Sequence, residues 1–288
     1  MEAVKHALSY LTQQRDFFSV EVGLFKDEPF KPFIELLFLW HLLPQRFKKN
    51  NKALEELKAF IDQELSQLDL TPIATMPAAL SALAIIEQYY QDHGESHLKP
   101  QLSCLAQKHY PLLVEERVPY RLLDVAYSLE AVGVTHHFGS LTSLYEETVL
   151  SKGLPIFYFS PAAMYSVTHT LFYLTDMGRK PKLPQSIPDL CFLLRSLLGD
   201  RLLEKDFDIL SELILDIYFL GLEDNFTALF DLAFAEMVKF QQEDGSFPPP
   251  LPSKARDPKG RFRDHYHTTL VCLGALVWKQ ELNLENGS

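Results

Sequence analysis

Leu210-Ser211-Glu212-Leu213-Ile214-Leu215-Asp216-Ile217-Tyr218-Phe219-Leu220-Gly221-Leu222 is apolar almost all the way round a helix. A helix of this kind suits burial on both sides. Asn51–Gln67, which reads NKALEELKAFIDQELSQ, carries a charged face instead, as an outer helix does. Working outward from these two, apolar residues recur at helical spacing nearly everywhere, and no run of strict alternation marks a strand. Breaks at Pro, Gly and Asx clusters give about twelve helical segments. They run approximately over 2–18, 30–47, 51–67, 77–92, 97–109, 119–132, 140–152, 161–177, 187–203, 207–221, 226–242 and 265–280. Charged-faced and apolar members alternate, so a helix pair repeats about every 40–50 residues. Six pairs with a buried inner set predict an all-α fold, an (α/α)6 toroid, in one domain over 1–288. An open HEAT-like solenoid would leave both helices of each pair partly exposed, and ranks second.

The bulk numbers bound the function classes. The chain has 288 residues, 47% apolar and 23% charged, enough to bury a sizeable core. Its net charge of -11 argues against nucleic acid and anionic membrane as partners, since a polyanion would be repelled over most of the surface. Cys104, Cys191 and Cys272 are widely spaced and form no CxxC pair, which suits a reducing compartment. The N-terminus shows no signal-peptide pattern, and the most apolar stretches carry Glu35, His41, Glu212 and Asp216. A soluble cytoplasmic protein is the expectation.

Glycines that cap inner helices set a register between repeats. Asp124, His169 and Glu212 each lie nine residues before a glycine (Gly133, Gly178, Gly221) and are spaced 45 and 43 residues apart. Glu35 precedes Asp124 by 89, close to two repeats, and His267 falls at the same depth in the last inner helix. The register predicts that Glu35, Asp124, His169, Glu212 and His267 face one central cavity. Asp176 and Asp216 lie deeper and are expected to make local hydrogen bonds, and Cys272 to pack as a small hydrophobe.

Two stretches resemble a known superfamily. Gln241-x-x-Asp244-Gly245-Ser246-Phe247 resembles the repeat motif of terpenoid cyclases and protein prenyltransferase β subunits, which are α/α toroids. Arg263-Asp264-His265-Tyr266-His267-Thr268 looks like the farnesyltransferase segment that supplies a zinc-binding histidine, a likeness that makes His267 the metal ligand. Glu212 takes the position of that family's Asp ligand, but Ile214 replaces its cysteine, so thiol activation is not implied. Asp206-Phe207-Asp208-Ile209 matches the acid motif of class II cyclases only in part. The chain also resembles an uncharacterised bacterial domain family found near natural-product pathways.

Two chemistries fit the residues. His169, Glu212 and His267 make a two-histidine, one-carboxylate set suited to Fe(II) or Zn(II), with Asp124 as fourth ligand or base. Iron is slightly preferred because the thiolate is missing, and the reaction on a small, mostly apolar substrate is open between oxidative tailoring at iron and zinc-assisted cyclisation, transfer or hydrolysis. Without metal, Asp124, Asp208 and Glu212 would run acid/base cyclisation, transfer or hydrolysis, burial and mutual repulsion separating their pKa values. Tyr266 is placed beside Asp124 and Asp208 as catalytic. Glu35, Tyr165, Tyr173, Arg261, Arg263 and His265 are placed against the substrate, the arginines in a basic loop of about 22 residues (243–264) that would meet an anionic end. A noncatalytic helical-repeat module that binds a peptide or lipid tail is the alternative of a different class.

Overall fold

The structure is a computed structural model that describes residues 2–20, 30–49, 51–68, 79–108, 117–181, 183 and 187–286. The fold is all-α. The helices are α1 (Glu2–Gln13), α2 (Phe30–Leu42), α3 (Gln45–Lys48), α4 (Lys52–Gln67), α5 (Leu80–Asp92), α6 (Lys99–Lys108) and α7 (Pro119–Ala131). They continue with α8 (Leu141–Tyr145), α9 (Pro161–Leu174), α10 (Leu190–Glu204), α11 (Phe207–Phe219), α12 (Thr227–Phe240) and α13 (Pro258–Asn286). No strand occurs among the described residues, and none of their helices is long and apolar enough to cross a membrane.

Local chemistry sets where these helices start and stop. Asn51, Ser140, Ser160 and Asp206 each cap a helix by accepting a backbone N–H with the side chain. Pro44 stops α2 earlier than periodicity alone predicts. The segment expected over 140–152 divides into α8 and a 3-10 turn at Val149–Lys152. Thr148 there bonds back to the Tyr145 carbonyl, and Gly153 ends the turn in the left-handed region. The last helix begins at Pro258 rather than near 265. Asp257 accepts the Gly260 N–H at 2.9 Å and Pro258 occupies the first turn, an N-terminal signal that apolar periodicity does not carry. The connection after α12 is correspondingly shorter, and Arg261, Arg263 and His265 ride on α13.

The described chain forms two compact units, 1–68 with 189–288, and 69–188. In the first, α13 packs on α11, α2 and α1, α10 packs on α11, and α1 packs on α4. Every residue of α11 from Phe207 to Ile217 is buried, as its all-round apolar sequence predicts. In the second, α7 packs against α5, α8 and α9, and α5 against α6.

Candidate functional site

α11 and α13 lie side by side in the first unit, and α2 packs on α13 as well. Three helices therefore bring acids and one imidazole together. His267 Nδ1 is 3.0 Å from Glu35 Oε2. On its other side, Nε2 lies 3.3 Å from Asp208 Oδ1 and 3.8 Å from Glu212 Oε1. Asp208 and Glu212 are buried one turn apart on α11, whereas His267 keeps 30% of its side-chain surface open to solvent.

The electrostatics follow from this arrangement. Burial works against charge on His267, but the carboxylates of Asp208, Glu35 and Glu212 beside it and the hydrogen bond to Glu35 outweigh it and raise its pKa well above the ordinary value. Burial likewise pushes Glu35 up. The His267 charge and hydrogen bond, with Lys31 and Tyr266, overcome that and hold Glu35 at about 2. Lys31 stands 3.7 Å from Glu35 on the solvent side. Tyr266, next to the imidazole, hydrogen-bonds Glu35 and stacks on Phe262 at a centroid distance of 5.1 Å. Phe17 and Phe18 complete that aromatic wall.

Asp124 and His169 meet in the second unit. Burial raises the Asp124 pKa, against the pull of Arg121, His169 and the hydroxyls of Ser128 and Tyr173. The His169 ring is surrounded by Tyr120, Phe172, Tyr165 and Tyr173, with centroids 5.7–6.2 Å away. The five residues that share one repeat position thus form an interacting group in each unit: Glu35, Glu212 and His267 in one, Asp124 and His169 in the other. Among the described residues, no group of three or more His, Cys, Asp and Glu side chains is disposed to hold a metal ion.

A family model described as "Domain of unknown function (DUF6895)" matches residues 4–277. The chain belongs to that family. Nothing among the curated proteins or the solved structures matches it. Glu35, Asp208, Glu212 and His267 all lie inside the family's span, so the cluster is part of the family's domain and not of an appendage.

Other residues singled out by the sequence hold the frame. His265 is buried and its Nδ1 donates to the Phe247 carbonyl at 3.0 Å. Phe247 N–H in turn donates to Thr269 Oγ1 at 3.0 Å. Gln241 Nε2 donates to the carbonyls of Ala3 and Gly245, each at 2.9 Å, so the Gln-x-x-Asp-Gly-Ser-Phe stretch ties α1 to the start of α13. Arg261 and Arg263 are exposed on α13, and Arg261 stands 3.9 Å from Asp244. Burial pushes the Cys272 thiol up, so it stays an unreactive filler that donates to the Phe207 carbonyl at 3.6 Å.

The two deep acids part company. Asp176 accepts the Tyr127 hydroxyl at 2.9 Å and pairs with Lys180 at 3.1 Å. Asp216 is wholly buried, and neither of its carboxyl oxygens has a hydrogen-bond partner. Its sequence setting, four residues after Glu212, marks the shared helix face but says nothing of the missing partner.

Proposed function

We propose that the chain is a metal-free acid–base enzyme acting on a small, mostly apolar substrate, with His267 as its proton-carrying group. One observation carries this reading: a single, partly open imidazole lies between acids from two different helices, Glu35 at one nitrogen and Asp208 and Glu212 at the other. Glu35 fixes the ring's orientation, as the third member of a catalytic chain does. The Nε2–Asp208–Glu212 side holds the proton that is given or taken, and the remaining carboxylates stabilise positive charge developing on the bound molecule. The neighbouring wall of Phe17, Phe18, Phe262 and Tyr266 favours an apolar body over a sugar, and a transient cation over an anion. The likeness of the Gln241–Phe247 stretch to the repeat motif of terpenoid cyclases and prenyltransferase β subunits supports the same substrate class and an α/α-toroid arrangement. Three free thiols suit a reducing compartment such as the cytoplasm.

A proton is favoured over iron or zinc at this centre for a geometric reason. Both His267 nitrogens face carboxylates, and a doubly protonated ring has no lone pair left for a metal. Nitrogen-15 NMR of the histidine rings, on protein purified without an affinity tag, tests this. Two protonated nitrogens on His267 are expected at neutral pH and beyond, assigned by their loss in His267→Gln. A neutral ring, or stoichiometric iron or zinc that is lost in His267→Gln, overturns the reading. Incubation with a panel of small unsaturated and carbonyl compounds, read by mass spectrometry, is expected to yield a product that His267→Gln does not form.

A further inference from the structure

Asp208, Glu212 and Asp216 follow one another at four-residue spacing and so share one face of α11. The outer end of this column meets the partly open His267. Its inner end is Asp216, wholly buried, with both carboxyl oxygens unpartnered. An ionised carboxylate is costly in such a place, because nothing there replaces the water it lost, so the charged form is only transient. The group is held as the neutral acid, and the charge of Glu212 one turn away pushes in the same direction. Neutral acids in protein interiors normally hydrogen-bond a neighbour, so an acid that does not is an unusual thing for a core to retain. The ionisable groups along the route are Glu212 and Asp208 on α11, His267 from α13 and Glu35 from α2, with Asp206 and Cys272 flanking the outer end. Glu212 is the one whose charge bears on Asp216.

We infer that Asp216 is the internal proton store of the site, returning a proton through Glu212 to the Asp208–His267 end after one has been given to a ligand. The inference rests on the proton-transfer reading of His267. In the step, the O–H bond of Asp216 breaks and an O–H bond forms on Glu212. Glu212 passes its own proton on to the Asp208–His267 end and is a carboxylate again, so Asp216 alone is left ionised until one proton from solvent, entering by His267 and running back through Glu212, restores its O–H bond. Nothing is oxidised or reduced. The role is that of a relay residue, because Asp216 acts on a ligand only through Glu212.

Infrared spectroscopy on the whole protein reads the stored proton directly. At neutral pH the carbonyl stretch of a buried carboxylic acid is expected, and its loss in Asp216→Asn assigns it. On transfer to D2O that band shifts as the proton is replaced by deuterium. If the route runs through Glu212, the shift slows by roughly tenfold or more in Glu212→Gln, where exchange must wait for local opening. No acid band at neutral pH, or the same exchange rate in Glu212→Gln as in the unaltered chain, overturns the inference. Should Glu212→Gln not fold, Asp208→Asn breaks the outer step of the same route and is read in the same way. A neutral His267 ring beside an intact Asp216 band would sink the proposed function while leaving the stored proton standing, so the two failures are distinguishable.

Discussion

Glu35→Gln keeps the shape of the side chain but leaves the His267 Nδ1–H facing a neutral amide. The lost attraction is partly buried, and its cost is about 1–3 kcal/mol near pH 6. The sign of its pH dependence differs on the two flanks. Glu35 is depressed from 4.5 to about 2, so the stability it confers is complete above the unfolded value and is lost as pH falls through the folded one. His267 is raised, so its share is complete below its unfolded value of 6.5 and fades as pH climbs through the folded one. Urea unfolding of the unaltered chain and of Glu35→Gln across pH is therefore expected to show a gap widest between about pH 5 and 6.5, closing on both sides. A gap that stays constant from acid to alkali would falsify the pairing. Sequence register was enough to single out Glu35, Glu212 and His267, because a shared depth in successive helices is a property of spacing. It could not show which carboxylate reaches which ring nitrogen, nor that Asp216 lacks a partner, because side-chain direction and the identity of neighbours depend on packing.

The long segments of strong apolar periodicity became helices, and α4, α8 and α9 begin just after Asn51, Ser140 and Ser160, which cap them. What periodicity hid was chemistry carried by single residues. Asp257 and Pro258 start α13 a full two turns early, and Thr148 and Gly153 divide what looks like one helix into α8 and a 3-10 turn. The clasp between α12 and α13 is the clearest case of an element that reads as functional and serves the frame. Gly245 sits at φ +91°, and a Cβ there would collide with the His6 carbonyl, which is backbone and has little room to give. Gly245→Ala must therefore both strain its own turn and push α1 away from the seat that Gln241 holds through the Ala3 carbonyl. A loss of about 3 kcal/mol or more is expected in urea unfolding, against about 1 kcal/mol for Gln241→Ala, which gives up hydrogen bonds without a collision. Equal losses for the two would mean that the close approach of Gly245 to α1 is not what holds this corner.

The first unit is built from the two ends of the chain, 1–68 and 189–288, while 69–188 forms the second. Helices of the first unit that are far apart in sequence, α1 and α2 on one side and α11 and α13 on the other, hold each other by direct packing and by the Trp278 Nε1 hydrogen bond to the Leu42 carbonyl at 3.2 Å. Packing of this sort makes a cooperative block, and cooperative blocks open together at a free energy of their own. Weakening the clasp with Gly245→Ala should lower that free energy for the whole block and not merely around residue 245. Native-state hydrogen exchange read by mass spectrometry is expected to show protection falling together in α1, α2, α11 and α13, although the whole second unit lies between their two groups in the chain. Peptides from α5, α7 and α9 should keep theirs. The His267 cluster takes one member from the N-terminal stretch, Glu35, and the rest from the C-terminal one. Opening of the block therefore dismantles the site. Exchange that accelerates equally in both units, or only in the turn at 241–247, would show that the two ends do not act as one block and that the site's two halves are held less firmly than their contacts imply.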